Sequence, residues 1–246
     1  MKRLHSEDGL SIYSSPIDLN SLGSVKDELK TGTVVIFKNV FAPEETSELR
    51  KLVFEWSSTL PPLSFEENAN KPNLNFHRID GAPEKSSLPH IFHQYGFGDV
   101  GSTNGKLKSR LTSFTSRLLG LQNTLADTSY SMSDENVRAK VLQYVSGGGF
   151  LAAHTHPIEP QRVGLICALS KVGIDFLRGG TTFDAPSKKI DTGPHHDIGD
   201  VIAFRYDLPH EVEITEPDSE IDWKSEKGRW TLVLELLDTH NRSNSE

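Results

Sequence analysis

The chain holds one cysteine, Cys167, in 246 residues. An intrachain disulfide is thereby excluded, and the apolar neighbours Leu165, Ile166, Ala168 and Leu169 read as the setting of a buried, inert thiol rather than a nucleophile. Such poverty in cysteine fits a reducing compartment. Also lacking is any apolar run of bilayer-crossing length, and the opening MKRLHSEDGLSIYSS starts basic without the apolar stretch of a secretory signal. These absences predict a soluble, cytoplasmic protein with no membrane partner. Basic charge is scarce too: 26 Lys and Arg stand against 34 Asp and Glu, for a formal net charge of -8. With no basic stripe or arginine-rich run to offset phosphate repulsion, a nucleic acid partner is not expected, and a small molecule is the default ligand. Internal repeats and low-complexity tracts are absent as well.

What is present divides into two halves. Residues 1–32 are polar with scattered Gly, Pro and Ser, and 24–30 reads as a short helix before a strand at 33–40, TVVIFKNV. Pro43 followed by Glu44 and Glu45 marks a helix start, and Leu49, Leu52, Val53 and Trp56 recur at the spacing of one helical face. Residues 58–104 read as irregular, Pro- and Gly-punctuated loops of functional length, with His77, His90 and His93 as their concentrated chemistry. A second amphipathic helix is expected over 105–126. Beyond residue 133 the pattern turns to short β-type runs at 137–145, 150–156, 164–169, 181–183, 201–204, 212–215 and 229–237, separated by Gly and Pro turns. Regularly spaced short strands of this kind predict a sandwich or jelly roll. We expect one domain over 1–246: a helix-rich N-terminal layer over 1–132, a jelly-roll core over 133–240, and a polar tail over 241–246.

The chemistry concentrates in VLQYVSGGGFLAAHTHP, residues 141–157. In an extended segment, residues two apart point to one side, so His154 and His156 can reach a single metal ion. The third ligand expected is His210, in GDVIAFRYDLPHEVEI, 56 residues after His154 and close enough if the two segments become neighbouring strands. Imidazole suits Fe(II), Zn, Cu and Ni alike, so ligand type leaves the metal open. On the last strand Arg229 and Thr231 share one face, while Trp230, Leu232, Leu234 and Leu236 share the other, apolar one. An Arg229 facing the interior needs an anion, and a carboxylate held by its guanidinium with a hydrogen bond from Thr231 answers that need. His195 and His196 are adjacent and point apart in an extended loop. Glu159 lies three residues past His156 between two prolines, and Arg162, Arg178 and Arg205 read equally well as solvated charges or as the lining of an acidic substrate's pocket.

The order Tyr144, His154-x-His156, His210, Arg229-x-Thr231, behind a helical N-terminal half, resembles the Fe(II)/2-oxoglutarate-dependent dioxygenases, most closely over residues 135–237. The resemblance implies a mainly β protein with a helical N-terminal layer around a double-stranded β-helix, the cupin-like jelly roll. It further implies Fe(II) held by the histidines and 2-oxoglutarate as cosubstrate, its far carboxylate on Arg229 and Thr231 with Tyr144 assisting. The implied reaction consumes O2 and oxidises a small organic substrate, most simply by hydroxylation. Position 156 departs from the family, which has Asp or Glu there. His156 is expected to coordinate, giving a three-histidine centre; the other outcomes are that it stands aside, as in relatives that halogenate, or that catalysis is lost.

Two further readings stay open. A three-histidine cupin-type dioxygenase needing no 2-oxoglutarate fits the Gly148-to-His154 spacing and the step from Gly199 to His210. Against it, Glu159 falls one residue early for the cupin glutamate, Arg205, Asp207 and Ile214 replace the second motif's Pro, Gly and Asn, and Arg229 is left unexplained. A noncatalytic jelly-roll binding protein is the third, since fold does not fix function. Substrate specificity is expected in 58–104 and 184–198; the sequence identifies neither the substrate nor the oligomeric state.

Overall fold

The chain is described by a computed structural model covering residues 1–64, 75–83, 87–97 and 105–237. Two long helices form a layer on one side. Helix α2 (Pro43–Ser57), after the shorter α1 (Gly23–Lys30), starts on Pro43 with Glu44 and Glu45 in its first turn, where a missing N–H is harmless and negative charge meets the positive helix end. Helix α3 (Gly105–Ala126) crosses it, with Arg110 of α3 bound to Glu45 and Glu48 of α2. Their apolar stripes, including Leu49, Val53, Leu111, Phe114 and Leu118, are buried together against the sheet, and Phe114 stacks on Phe41 at a 4.0 Å centroid distance. No helix among the described residues is long and apolar enough to cross a membrane.

The strands are β1 (Arg3–Glu7), β2 (Leu10–Tyr13), β3 (Val34–Phe37), β4 (Asn75–Ala82), β5 (His90–Phe97), β6 (Val137–Val145), β7 (Phe150–His154), β8 (Val163–Ala168), β9 (Thr181–Asp184), β10 (Lys189–Asp191), β11 (Val201–Arg205), β12 (His210–Val212) and β13 (Gly228–Leu236). They run in the hydrogen-bonded order β1-β2-β3-β11-β8-β13-β6-β5-β7-β12-β9-β10, with β4 paired to β5. The central part, β6-β13-β8-β11 and β7-β12-β9-β10, is the pair of four-stranded layers of a double-stranded β-helix. Strand β5 bridges them by pairing with both β6 and β7.

Strand β13 shows how alternation divides the molecule. Trp230, Leu232 and Leu234 join the core beneath the helices, where fully buried Trp230 stacks on Tyr95 at 5.5 Å and meets the edge of Phe54 from α2. Arg229, Thr231, Val233 and Glu235 face the other way and line a cavity between the layers.

The expected fold class is what the structure has, but 58–104 departs from the loop reading. Within it, β4 and β5 form a long antiparallel hairpin, Asn75 opposite Phe97 through Ala82 opposite His90. Histidines and aromatics bury most of β5, which erases the polar-apolar alternation by which a half-exposed strand is read. Gly96 adds to the disguise: a Cβ there would lie 2.2 Å from the Phe76 ring, so the strand carries a glycine to let that ring pack. Residues 1–32 likewise contain the β1–β2 hairpin, and β10 is a further unexpected strand. Strand β7 ends at His154, so His156 lies just beyond it, and β12 begins at His210 rather than after it. The tail over 241–246 lies outside the described residues.

Candidate metal centre

The two histidine-bearing strands are held together by glycine geometry. The turn between β6 and β7 has Gly147 at φ +89°, and Gly147 and Gly148 both donate their N–H to the Thr215 carbonyl (3.1 and 3.0 Å), while Thr215 N–H donates to Gly149 O (2.8 Å). A Cβ on Gly147 would sit 2.3 Å from Glu220 O, so only glycine fits. This clamp anchors the segment after β12 to the turn before β7, and past a register shift between Val212 and His210 the ladder brings His210 directly opposite His154. Directly opposed residues are the closest neighbours a sheet offers.

The ring centroids of His154 and His210 are 4.3 Å apart, and His156 lies 4.8 Å from His154 and 5.4 Å from His210. One potential ligand atom from each of the three falls within 4.8 Å of the others. Carbonyls fix the orientation of two of the rings. His154 Nδ1 donates to Ala152 O and His210 Nδ1 donates to Leu208 O, both at 2.9 Å. A carbonyl only accepts, so Nδ1 carries the proton in each ring and Nε2 is the lone pair left for a metal. Burial holds the His154 pKa below its ordinary value and pushes His210 down to about 3, with His154 contributing, so both rings stay neutral at pH 7. His156 is held by stacking on Tyr206, at 4.4 Å and 14° between planes.

Arg229 lines the same cavity, of about 120 Å³, as the three histidines, together with Thr231 and Tyr144. It is 3% exposed. Its Nη2 donates to Thr181 Oγ1 (2.5 Å), its guanidinium carbon lies 5.5 Å from the Tyr144 ring centre, and its Nη1 is buried without a hydrogen-bond partner. Among the described residues no carboxylate pairs with it, although burial disfavours its charge. A permanent cation in such a place is stable only with an anion at hand. Burial also raises the Tyr144 phenol to about 12, which keeps it a neutral hydrogen-bond donor.

All six residues expected at the site, His154, His156, His210, Arg229, Thr231 and Tyr144, line this one cavity. The other candidates lie elsewhere. Glu159 is exposed and pairs with Arg162 (2.9 Å), so it does not stand in for the missing carboxylate. Arg178 pairs with Asp218, and Arg205 with Asp207. His195 stacks on His5, while His196 is buried with Nε2 3.3 Å from Asp200 O. His77 and His93 form a buried pair at 2.7 Å inside the hairpin, and His90 alone reaches the outer rim of the site. Thr181, Tyr206 and Glu235 line the cavity too, beyond the residues expected there. Glu235 was legible, since it continues the alternate face of Arg229 and Thr231; Thr181 carried no sequence signal of its own.

No family model matches the sequence, and no curated protein does. Solved structures do resemble the fold. A full-length protein from Neurospora crassa, solved in complex with alpha-KG, is 14% identical with a TM-score of 0.58 over 96% of this chain and 88% of that one. A prolyl-4-hydroxylase from Pseudomonas putida is 15% identical with a TM-score of 0.52, covering 87% of this chain and 97% of the other. An oxidoreductase of the 2OG-Fe(II) oxygenase family from Burkholderia pseudomallei is 12% identical with a TM-score of 0.52, covering 90% and 93%. The chain has the fold of the 2OG-Fe(II) oxygenases.

Proposed function

We propose that this protein is a member of that oxygenase family, coupling decarboxylation of 2-oxoglutarate to the oxidation, most simply the hydroxylation, of a small organic substrate with O2. The observation that carries the reading is the buried Arg229 guanidinium, its Nη1 unpartnered, in one chamber with three imidazoles. His154 and His210 would hold Fe(II) through Nε2, with His156 as third ligand. When bound, iron with 2-oxoglutarate supplies the oxidising chemistry; the chain supplies geometry and dryness.

Arg229 and Thr231 would fix the far carboxylate of the cosubstrate, and the Thr181 hydroxyl holds the guanidinium fork in place for it. Tyr144, neutral and packed against that fork, closes the deep end, and Leu142, Leu151 and Ile166 keep water from the chamber wall. Together these side chains would hold a dicarboxylate by its far end, away from the histidines. The family likeness in fold, and a neighbour solved with alpha-KG, support the same assignment. One observation favours the alternative of a 2-oxoglutarate-independent three-histidine centre, namely the ligand set itself; Arg229 weighs against it, because that chemistry gives the buried cation nothing to bind.

The test is anaerobic loading with Fe(II) followed by oxygen and substrate candidates, with succinate and CO2 counted. The expected result is one succinate per turnover, abolished in His154→Ala and His210→Ala. Tight metal binding in the wild type without succinate release would overturn the reading.

A further inference from the structure

Outside the histidines the cavity opens into a second chamber of about 650 Å³, bounded by the β4–β5 hairpin and by β6 and β13. Strand register places its polar groups on one sheet face. Arg78 is opposite Gln94, Gln94 opposite Leu142, and Leu142 opposite Thr231, so the row that ends at the deep chamber begins at Arg78. Arg78 Nη2 lies 3.0 Å from Asp80 and donates to Gln94 Oε1 (2.8 Å), and Asp80 is also 2.9 Å from His90 Nε2. One row along, Lys140 lies 2.5 Å from Glu235, and Glu235 borders both chambers. The side chains of these five charged or titratable residues are only 11% to 25% exposed.

Ion pairs so poorly hydrated contribute little net stability, and apolar residues in their place are often as stable or more so. Two half-buried leucines, Leu142 on β6 and Leu151 on β7, line the same chamber beside the charged clusters. With neighbouring strands about 4.8 Å apart, Arg78 on β4 and Lys140 on β6 stand roughly 10–12 Å apart at the backbone, a span that long side chains reduce to that of a small molecule. Each cluster holds a fixed cation beside a carboxylate, so the chamber selects neither a plain anion nor a plain cation.

We infer that the outer chamber binds a small zwitterion, a molecule carrying an amine and a carboxylate on one carbon skeleton, with the carboxylate on the Arg78 fork and the ammonium on Glu235. The ligand adds one negative and one positive charge, so the net charge of the chamber is unchanged when it binds. The skeleton between them lies over Leu142 and Leu151, in front of His154 and His156. A planar fork suits a carboxylate better than the ammonium of Lys140 does. The inference rests on the oxygenase reading only in calling this ligand the substrate; the binding chemistry stands without iron.

The test is calorimetric binding of ω-amino acids, from 3-aminopropanoate to 6-aminohexanoate, to the full chain. Monocarboxylates and monoamines of equal length serve as controls, with and without anaerobic Fe(II) and 2-oxoglutarate. At least one amino acid should bind about tenfold tighter than both of its singly charged relatives. Glu235→Gln should remove the advantage over the carboxylate, and Arg78→Gln the advantage over the amine. The inference is overturned if no member of the series shows the advantage on the wild type, or if both variants keep it. The wild-type series decides alone should a variant not fold. 2-Oxoglutarate binding, followed in the same samples, separates the two readings: lost zwitterion preference with intact 2-oxoglutarate binding sinks only this inference, and the converse sinks only the oxygenase assignment.

Discussion

Replacing Arg229 by methionine separates a carboxylate anchor from a structural cation, because the two roles predict opposite effects on the ligand-free protein. The guanidinium is 3% exposed, and the effective penalty for burying such an ion is several kcal/mol. Two contacts offset part of it: the hydrogen bond to Thr181, about 1.5–3 kcal/mol for a charged donor, and the Tyr144 ring at 5.5 Å, about 1–2 kcal/mol. A residual cost on the order of 1–2 kcal/mol is left, and Arg229→Met, of similar length and without charge, should relieve it. The ligand-free variant should therefore unfold at equal or higher urea concentration than the wild type. Its affinity for 2-oxoglutarate should fall by about 10²–10⁴-fold, the loss of two charge-assisted hydrogen bonds at about 1.5–3 kcal/mol each. Denaturation with and without 2-oxoglutarate on the metal-loaded protein measures both quantities, since a ligand at 100 times its Kd adds about 2.7 kcal/mol. A variant that is markedly less stable without ligand, yet is stabilised by 2-oxoglutarate as much as the wild type, would refute the argument.

Acid should unfold the metal-free protein earlier than its carboxylates alone require. Burial lowers the pKa of His77, His93, His154, His196 and His210, His93 to about 4 from an ordinary 6.5. A depressed imidazole contributes stability that is complete above pH 6.5 and lost as pH falls towards the folded value, because the unfolded chain then binds more protons. His93 by itself represents about 3 kcal/mol across that window, read as a falling urea midpoint between pH 7.5 and 4; a flat profile would contradict the buried neutral pair. Gly147→Ala tests the clamp behind the histidines. Positive φ and a Cβ 2.3 Å from Glu220 O should cost about 2 kcal/mol or more in urea denaturation and weaken metal binding through the β7–β12 register, whereas Gly105→Ala, with open space around it, should do neither.

The deep end of the site was legible because its residues obey short-range rules. Arg229 and Thr231 share a face by strand period, Trp230 and Leu232 share the other, and that division is what the structure has. His210 was legible only through spacing, and its place opposite His154 lies beyond a register shift at Val212 and a Gly147–Thr215 backbone clamp, neither of which residue type reveals. The outer chamber was hidden. Strand β5 buries His93, Gln94 and Tyr95 in succession, so it shows no alternation, and its pairing to β4, β6 and β7 is non-local. Read as loop, the segment leaves Arg78, Asp80 and His90 as solvated side chains, when the hairpin turns them towards the chamber that His154 and His156 line.

On the proposed oxygenase reading, a histidine at position 156 would change the charge of the centre as well as its ligand set. With an aspartate or glutamate ligand, a divalent ion, one guanidinium and a dicarboxylate balance to zero; with His156 the same set retains one positive charge. In a chamber this enclosed, an uncompensated charge is costly, and the chain has one carboxylate among the described residues lining it, Glu235. That carboxylate is already shared with Lys140 at the boundary of the two chambers. A zwitterion in the outer chamber adds no net charge, so the inner excess persists. The excess would favour 2-oxoglutarate, a dianion, over monoanions, and His156→Asp should narrow that preference. The ratio of 2-oxoglutarate to 2-oxobutyrate affinity in the two proteins measures it, and an unchanged ratio would mean that His156 does not set the charge of the centre.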